Sequence, residues 1–69
     1  MDKNVRKQVF TNIFNEKRSL DGKIQKLENF IESNGFKLID RTQQSLLIAQ
    51  YEAMLNYSSI LEKRLDTLR

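Results

Sequence analysis

Ser33-Asn34-Gly35-Phe36-Lys37-Leu38-Ile39-Asp40-Arg41-Thr42-Gln43 is the one stretch that interrupts an otherwise helical pattern, and it divides the chain in two. Glycine just past a periodic segment is the usual left-handed helix cap, and Asn34 beside it tolerates the same backbone region. Phe36, Leu38 and Ile39 follow as apolar residues that would tuck the connection onto a core. Asp40 then reads as an N-cap, and Gln43, three residues on, is placed to reach back in a capping box. The chain has no proline, so nothing else breaks a helix outright. The pattern predicts a first helix over about 4–33, a loop over about 34–40 and a second helix over about 41–68, forming one domain over residues 1–69.

Before the break, Phe10, Ile13, Lys17, Leu20, Ile24, Leu27 and Ile31 recur at alternating spacings of three and four, the seam of a packing helix. Val9, Phe14 and Phe30 widen it. Lys17 is its one charged member. A charge on a seam is costly unless it is paired or solvated. Either a bound anion explains it, or it snorkels to water or pairs with Asp21 four residues on. Gly22 falls mid-helix, at a cost of about 1 kcal/mol against alanine. It marks a close approach by a neighbouring chain, a kink, or a break near Ser19–Gly22.

After the break there are two seams rather than one. Leu47, Tyr51, Met54, Ser58, Leu61, Leu65 and Leu68 form the first; Leu46, Gln50, Ala53, Tyr57 and Ile60 form the second beside it. A helix with a single neighbour needs only a narrow stripe, so a broad one implies a second neighbour. The first helix can cover one seam. The other would stay wet in a monomer, and such a stripe usually marks an interface. The expected fold is all-α, an antiparallel two-helix hairpin assembling into a homo-oligomeric helical bundle. Leu46, Ala53, Met54 and Ile60 are the expected oligomer interface, with Ala53, Ser58 and Ser59 small enough to allow close helix approach.

Size and composition point the same way. Sixty-nine residues bury only about 60% of the unfolded surface, so a domain this small usually needs a disulfide, a metal or a partner chain. With no Cys and no His, disulfides and the usual zinc sites are excluded, as are Ser-His-Asp and Cys-His nucleophile systems. The two glycines are isolated, so no glycine-rich phosphate loop exists. An enzyme is not expected, nor a cofactor. No run of residues resembles a signal peptide or approaches the roughly 20 apolar residues of a membrane span. The lack of Cys fits a reducing compartment, so a cytoplasmic protein is expected.

The net charge of +3 is uneven. Residues 1–26 carry seven bases and three acids, whereas residues 27–69 carry five bases and six acids. That asymmetry fits an anionic partner for the first half, or an ordinary solvated helix face.

In the second helix, Ser45-Leu46-Leu47, Tyr51-Glu52-Ala53 and Tyr57 resemble, at matching spacing, the second helix of small phage-encoded helical-hairpin proteins, the anti-CBASS and anti-Thoeris family of cyclic-nucleotide sponges. In the first helix, Glu16-Lys17, Leu20, Lys23-Ile24, Lys26-Leu27 and Phe30-Ile31-Glu32-Ser33 are similar to the same group. The likeness spans about residues 13–65 and rests on helical pattern. Family members have Arg-Glu before Ser-Leu, where this chain has Gln43-Gln44; the role of a phosphate-contacting arginine would have to move to Arg41 or be lost.

The resemblance implies a compact homo-oligomer, a hexamer in characterised members. It implies binding of cyclic di- or trinucleotides between subunits, without cleavage, in the host cytoplasm. Such a sponge needs cations or backbone donors for phosphates and flat faces for bases. Lys17, Arg18, Lys26, Arg41, Phe14 and Tyr57 are the expected ligand-binding residues. Arg41 lies at a helix start, where free N–H groups favour anions. Tyr57 can stack and hydrogen-bond at once. Against this, apolar residues at helical spacing usually pack, which would put Phe14, like Phe10, in a core or interface. Two other functions fit the pattern: a helical adaptor or inhibitor gripping a host protein through the second seam, and weak, non-specific nucleic-acid binding through the basic first segment. No membrane and no specific DNA or RNA partner is expected.

Overall fold

A computed structural model describes all 69 residues as three helices without strands: α1 (Lys3–Ile31), α2 (Asn34–Leu38) and α3 (Arg41–Asp66). α3 is the second helix of the sequence pattern. Asp2 caps α1, its side chain accepting from the Asn4 backbone N–H at 2.7 Å. Asp40 caps α3 as expected, accepting from the Gln43 N–H at 2.8 Å. The reciprocal half of the capping box is not made. Instead Gln44 Nε2 donates to the Phe36 carbonyl at 2.9 Å, tying the start of α3 to the connection.

The connection differs from expectation. Gly35 is not a left-handed cap, since no residue has a positive φ, and it lies inside α2. α1 ends instead on Ser33, whose hydroxyl and backbone N–H both donate to the Phe30 carbonyl, at 2.6 and 3.0 Å. With its hydroxyl engaged there, Ser33 makes no side-chain cap for α2. Phe36 folds back edge-on to Phe30, ring centroids 6.2 Å apart, and Ile39 is half-buried. Leu38 does not tuck in; it is 87% exposed.

α1 is unbroken through Ser19–Gly22, so the chain does not make the break that the glycine allowed there. The two long helices lie side by side in opposite directions. Arg6 near the start of α1 donates to the Thr67 and Leu68 carbonyls beyond the end of α3, both at 3.3 Å. Farther along, Asp21 meets Ser58 and Glu28 meets Tyr51. Arg6 thereby places a cation on the last carbonyls of α3, which the helix dipole favours. The molecule measures 51 × 15 × 13 Å.

The core is thin. Ile13, Leu20 and Ile24 of α1 meet Leu61 and Leu65 of α3, and these five are the buried residues. Val9, Phe10, Tyr51, Met54 and Leu68 pack on it half-buried. Met54 takes part in the packing within the chain and keeps part of its side chain in water. It lies on the first seam, the one α1 covers.

The seams divide as their positions require. Every residue of the first is buried or half-buried, whereas Leu46, Gln50, Ala53, Tyr57 and Ile60 are all exposed. Leu46 is 57% exposed and Ile60 47%, values that leave a largely apolar stripe, interrupted by Gln50, along α3 in contact with water.

Candidate functional site

Three surfaces carry chemistry, and each arises from the way a helix face meets the α1–α3 seam. One groove runs beside the buried end of the core, lined by Phe14, Lys17, Arg18 and Asp21 of α1 with Glu62 and Leu65 of α3 and the terminal Arg69. Phe14 stands 48% exposed on its rim and stacks on Phe10, with centroids 6.5 Å apart and planes within 14°. Three expected ligand residues, Phe14, Lys17 and Arg18, therefore meet here.

The charge on Lys17 is already answered. Its Nζ lies 2.7 Å from Asp21 Oδ2, one helical turn on, and the lysine side chain is 24% exposed. The same carboxylate accepts the Ser58 hydroxyl through Oδ1 at 2.6 Å. The hydrogen bond from Lys17, and then that from Ser58, hold the Asp21 carboxyl below its ordinary value of 3.8. Of the two explanations for a charged seam residue, pairing with Asp21 is the one the geometry contains. Arg69 closes the groove, bound to Glu62 and Asp66, which raise its pKa. Nothing in the helical periodicity marks Arg69; its signal lies only in its reach past the last turn of α3.

A second groove lies toward the connection, lined by Glu28, Ile31 and Glu32 of α1 with Ile48, Tyr51, Glu52 and Leu55 of α3. Tyr51 donates its hydroxyl to Glu28 Oε2 at 3.2 Å. Desolvation, and then the Glu28 charge, push the Tyr51 phenol above its ordinary 10.0. This groove is acidic and apolar, and sequence reasoning did not single it out. Its signal would have been the antiparallel register that sets Glu28 opposite Tyr51.

The third surface lies wholly on α1, where Asn15, Arg18, Ser19, Gly22, Lys23 and Lys26 border a recess. Arg18 and Lys26 come together here, on either side of the glycine. Arg41 and Tyr57 join none of these surfaces. Arg41 is exposed at the first turn of α3; Tyr57 is 42% exposed on the apolar stripe. Because Asp21 lies opposite Ser58, Arg18 stands level with about Leu61, some 20 residues beyond Arg41. At 1.5 Å per residue that is roughly 30 Å along the axis. Within one chain the expected ligand residues cannot all converge.

No group of acidic side chains is arranged to hold a metal ion. No helix is long and apolar enough to cross a membrane. The family model described as Sequestin matches residues 8–67, which takes in the Phe14 groove apart from Arg69, the connection, the α1 recess and all of α3. No curated protein matches the chain, and no solved structure does.

Proposed function

The chain belongs to the Sequestin family, and on that premise we propose that it sequesters cyclic di- or trinucleotides, holding them unaltered between copies of itself. The family match carries the reading, for the family's name denotes sequestration. The likeness of Ser45-Leu46-Leu47, Tyr51-Glu52-Ala53 and Tyr57 to anti-CBASS sponges supplies the ligand class. A phage product acting this way in the host cytoplasm would keep immune signals from their effectors. It would act without catalysis, by binding alone.

Self-association is the second half of the reading. A folded monomer of 8.2 kDa exposes about 4,500 Å² by the usual scaling, whereas this chain exposes 5411 Å². Its elongated 51 × 15 × 13 Å shape leaves that extra surface in water, room enough for a standard interface of roughly 800 Å² per partner. The stripe of Leu46, Ala53, Tyr57 and Ile60 is the surface best suited to bury it. Pairing of copies also offers a way past the 30 Å that keeps Arg41 from the Phe14 groove. A hexamer, as in the characterised sponges, is one assembly of this kind.

The exposed stripe also favours a second reading, a helical adaptor that grips a host protein through the same residues. Calorimetric titration with a panel of cyclic di- and trinucleotides separates the two. Sequestration predicts submicromolar binding and recovery of the intact nucleotide after heat denaturation. No heat with any member of the panel, together with capture of a stoichiometric host protein, would favour the adaptor.

A further inference from the structure

We propose that the α1 recess centred on Gly22 is a phosphate-binding site, with Arg18, Lys23 and Lys26 as its cations and Asn15 and Ser19 as its neutral hydrogen-bond donors. The inference rests on the sequestering reading for the nature of the phosphate carrier. The site itself rests on three features of α1.

The first is the glycine. Gly22 lies within an unbroken 29-residue helix, where it costs about 1 kcal/mol against alanine. A Cβ added there would meet nothing within 4 Å. Its φ is not positive either. Neither packing within the chain nor backbone conformation therefore calls for glycine. What its bare Cα provides is a gap between longer side chains, through which a ligand can come close to the helix backbone.

The second is unbalanced charge. Arg18, Lys23 and Lys26, like most cations of the chain, have no carboxylate within ion-pair distance; only Lys17 and Arg69 are paired. The nearest acid in sequence, Asp21, is engaged by Lys17 and Ser58. Lys23 and Lys26 stand three residues apart, a spacing at which like charges repel on a helix. An anion in the recess would relieve that repulsion.

The third is chemistry. All six lining residues are exposed and none is apolar, so the recess is not suited to a helix or an aliphatic ligand. An arginine fork, two ammonium groups, an amide and a hydroxyl around one gap suit phosphate oxygens. The bases would then lie beyond the recess, toward whatever flat surface a neighbouring copy presents.

Gly22→Ala tests this, because propensity and ligand binding pull it in opposite directions. Full-length protein is titrated with cyclic di-AMP and, separately, with sodium pyrophosphate, following backbone amides by NMR and mass by sedimentation. The expected result is a higher melting temperature and unchanged mass for Gly22→Ala, with cyclic di-AMP binding at least about tenfold weaker. Arg18→Gln with Lys26→Gln should weaken binding at least as much, since each removes a charge-assisted contact. Pyrophosphate should shift the amides of Asn15, Ser19, Gly22 and Lys23 selectively. The site is overturned if both variants bind cyclic di-AMP like the parent while the parent binds tightly. It is equally overturned if Gly22→Ala changes the assembly mass, which would make the glycine a subunit contact, or if pyrophosphate perturbs Lys3, Lys7 and Lys63 as strongly. Selective pyrophosphate shifts without any cyclic di-AMP binding would uphold the phosphate site and count against the sequestering reading.

Discussion

Ser58 of α3 donates its hydroxyl to Asp21 of α1 at 2.6 Å, and through Asp21 it is linked to Lys17 at 2.7 Å. This chain of three polar groups crosses the helix pair beside Leu20 and Ile24, and it lets a charged residue occupy the seam without a buried unpaired polar atom. Ser58→Ala should lower unfolding stability by about 0.5–1.5 kcal/mol in urea denaturation, the usual net worth of one hydrogen bond. Asp21→Asn should cost more than Ser58→Ala, because it strips Lys17 of its partner as well.

The same contact predicts a pH dependence. Asp21 is held below 3.8 in the folded chain, so its stabilising contribution is present above that value and is lost as pH falls through the lower, folded pKa. Lys17 pairs with this carboxylate, and Arg18, Glu62 and Arg69 line the same groove. Acid titration of stability should therefore show a decline below pH 3.8 that Asp21→Asn flattens.

Tyr51 titrates in the opposite sense. Its phenol is raised above 10.0 by desolvation and by Glu28, so folding disfavours the phenolate and stability falls as pH rises past 10. Ultraviolet titration of Glu28→Gln should bring the Tyr51 transition down toward its ordinary position. No change on that substitution would mean that the Glu28 contact is not made in solution.

Leu61 and Leu65 are each 1% exposed and hold most of the closest packing. Leu61→Ala should cost about 2–5 kcal/mol, the range for a leucine truncated in a core. Small domains have little more stability than this to lose. The variant should be largely unfolded by circular dichroism at 37 °C. Leu38→Ala, at an 87% exposed position, should leave the melting curve unchanged.

On the α3 stripe, Ile60→Glu or Ala53→Arg should convert an assembly into monomers in analytical ultracentrifugation. Helicity should fall with it, because the thin core leaves the isolated chain marginal. Arg41→Ala lies off the stripe. It should leave the mass unchanged and weaken cyclic nucleotide binding about tenfold by calorimetry if Arg41 serves a phosphate.

What could be read in advance follows local rules. Period and caps gave two long helices with ends within about two residues, and Asp40 caps α3 because an aspartate oxygen reaches the N–H three residues on whatever surrounds it. The division of α3 into a covered seam and a wet one was legible for the same reason: residues three and four apart share a face. Gly35 was misread, because a glycine after a helix is compatible with either a left-handed cap or a further helical turn. Packing of Phe36 on Phe30 and the Gln44–Phe36 hydrogen bond accompany the helical choice.

The sequence by itself determined that this chain is helical, that it lacks the Cys and His of the usual zinc sites and of the Ser-His-Asp and Cys-His systems, and that its apolar stripe exceeds what one partner helix covers. Only the tertiary structure decided that Asp21, besides pairing with Lys17 on its own helix, accepts Ser58 from the facing one, that Gly22 faces open space, and that Arg41 stands roughly 30 Å from the Phe14 groove. Periodicity defines which residues share a face of one helix. The partner of a charge and the distance between two sites depend on the register between helices, which many long-range contacts decide together.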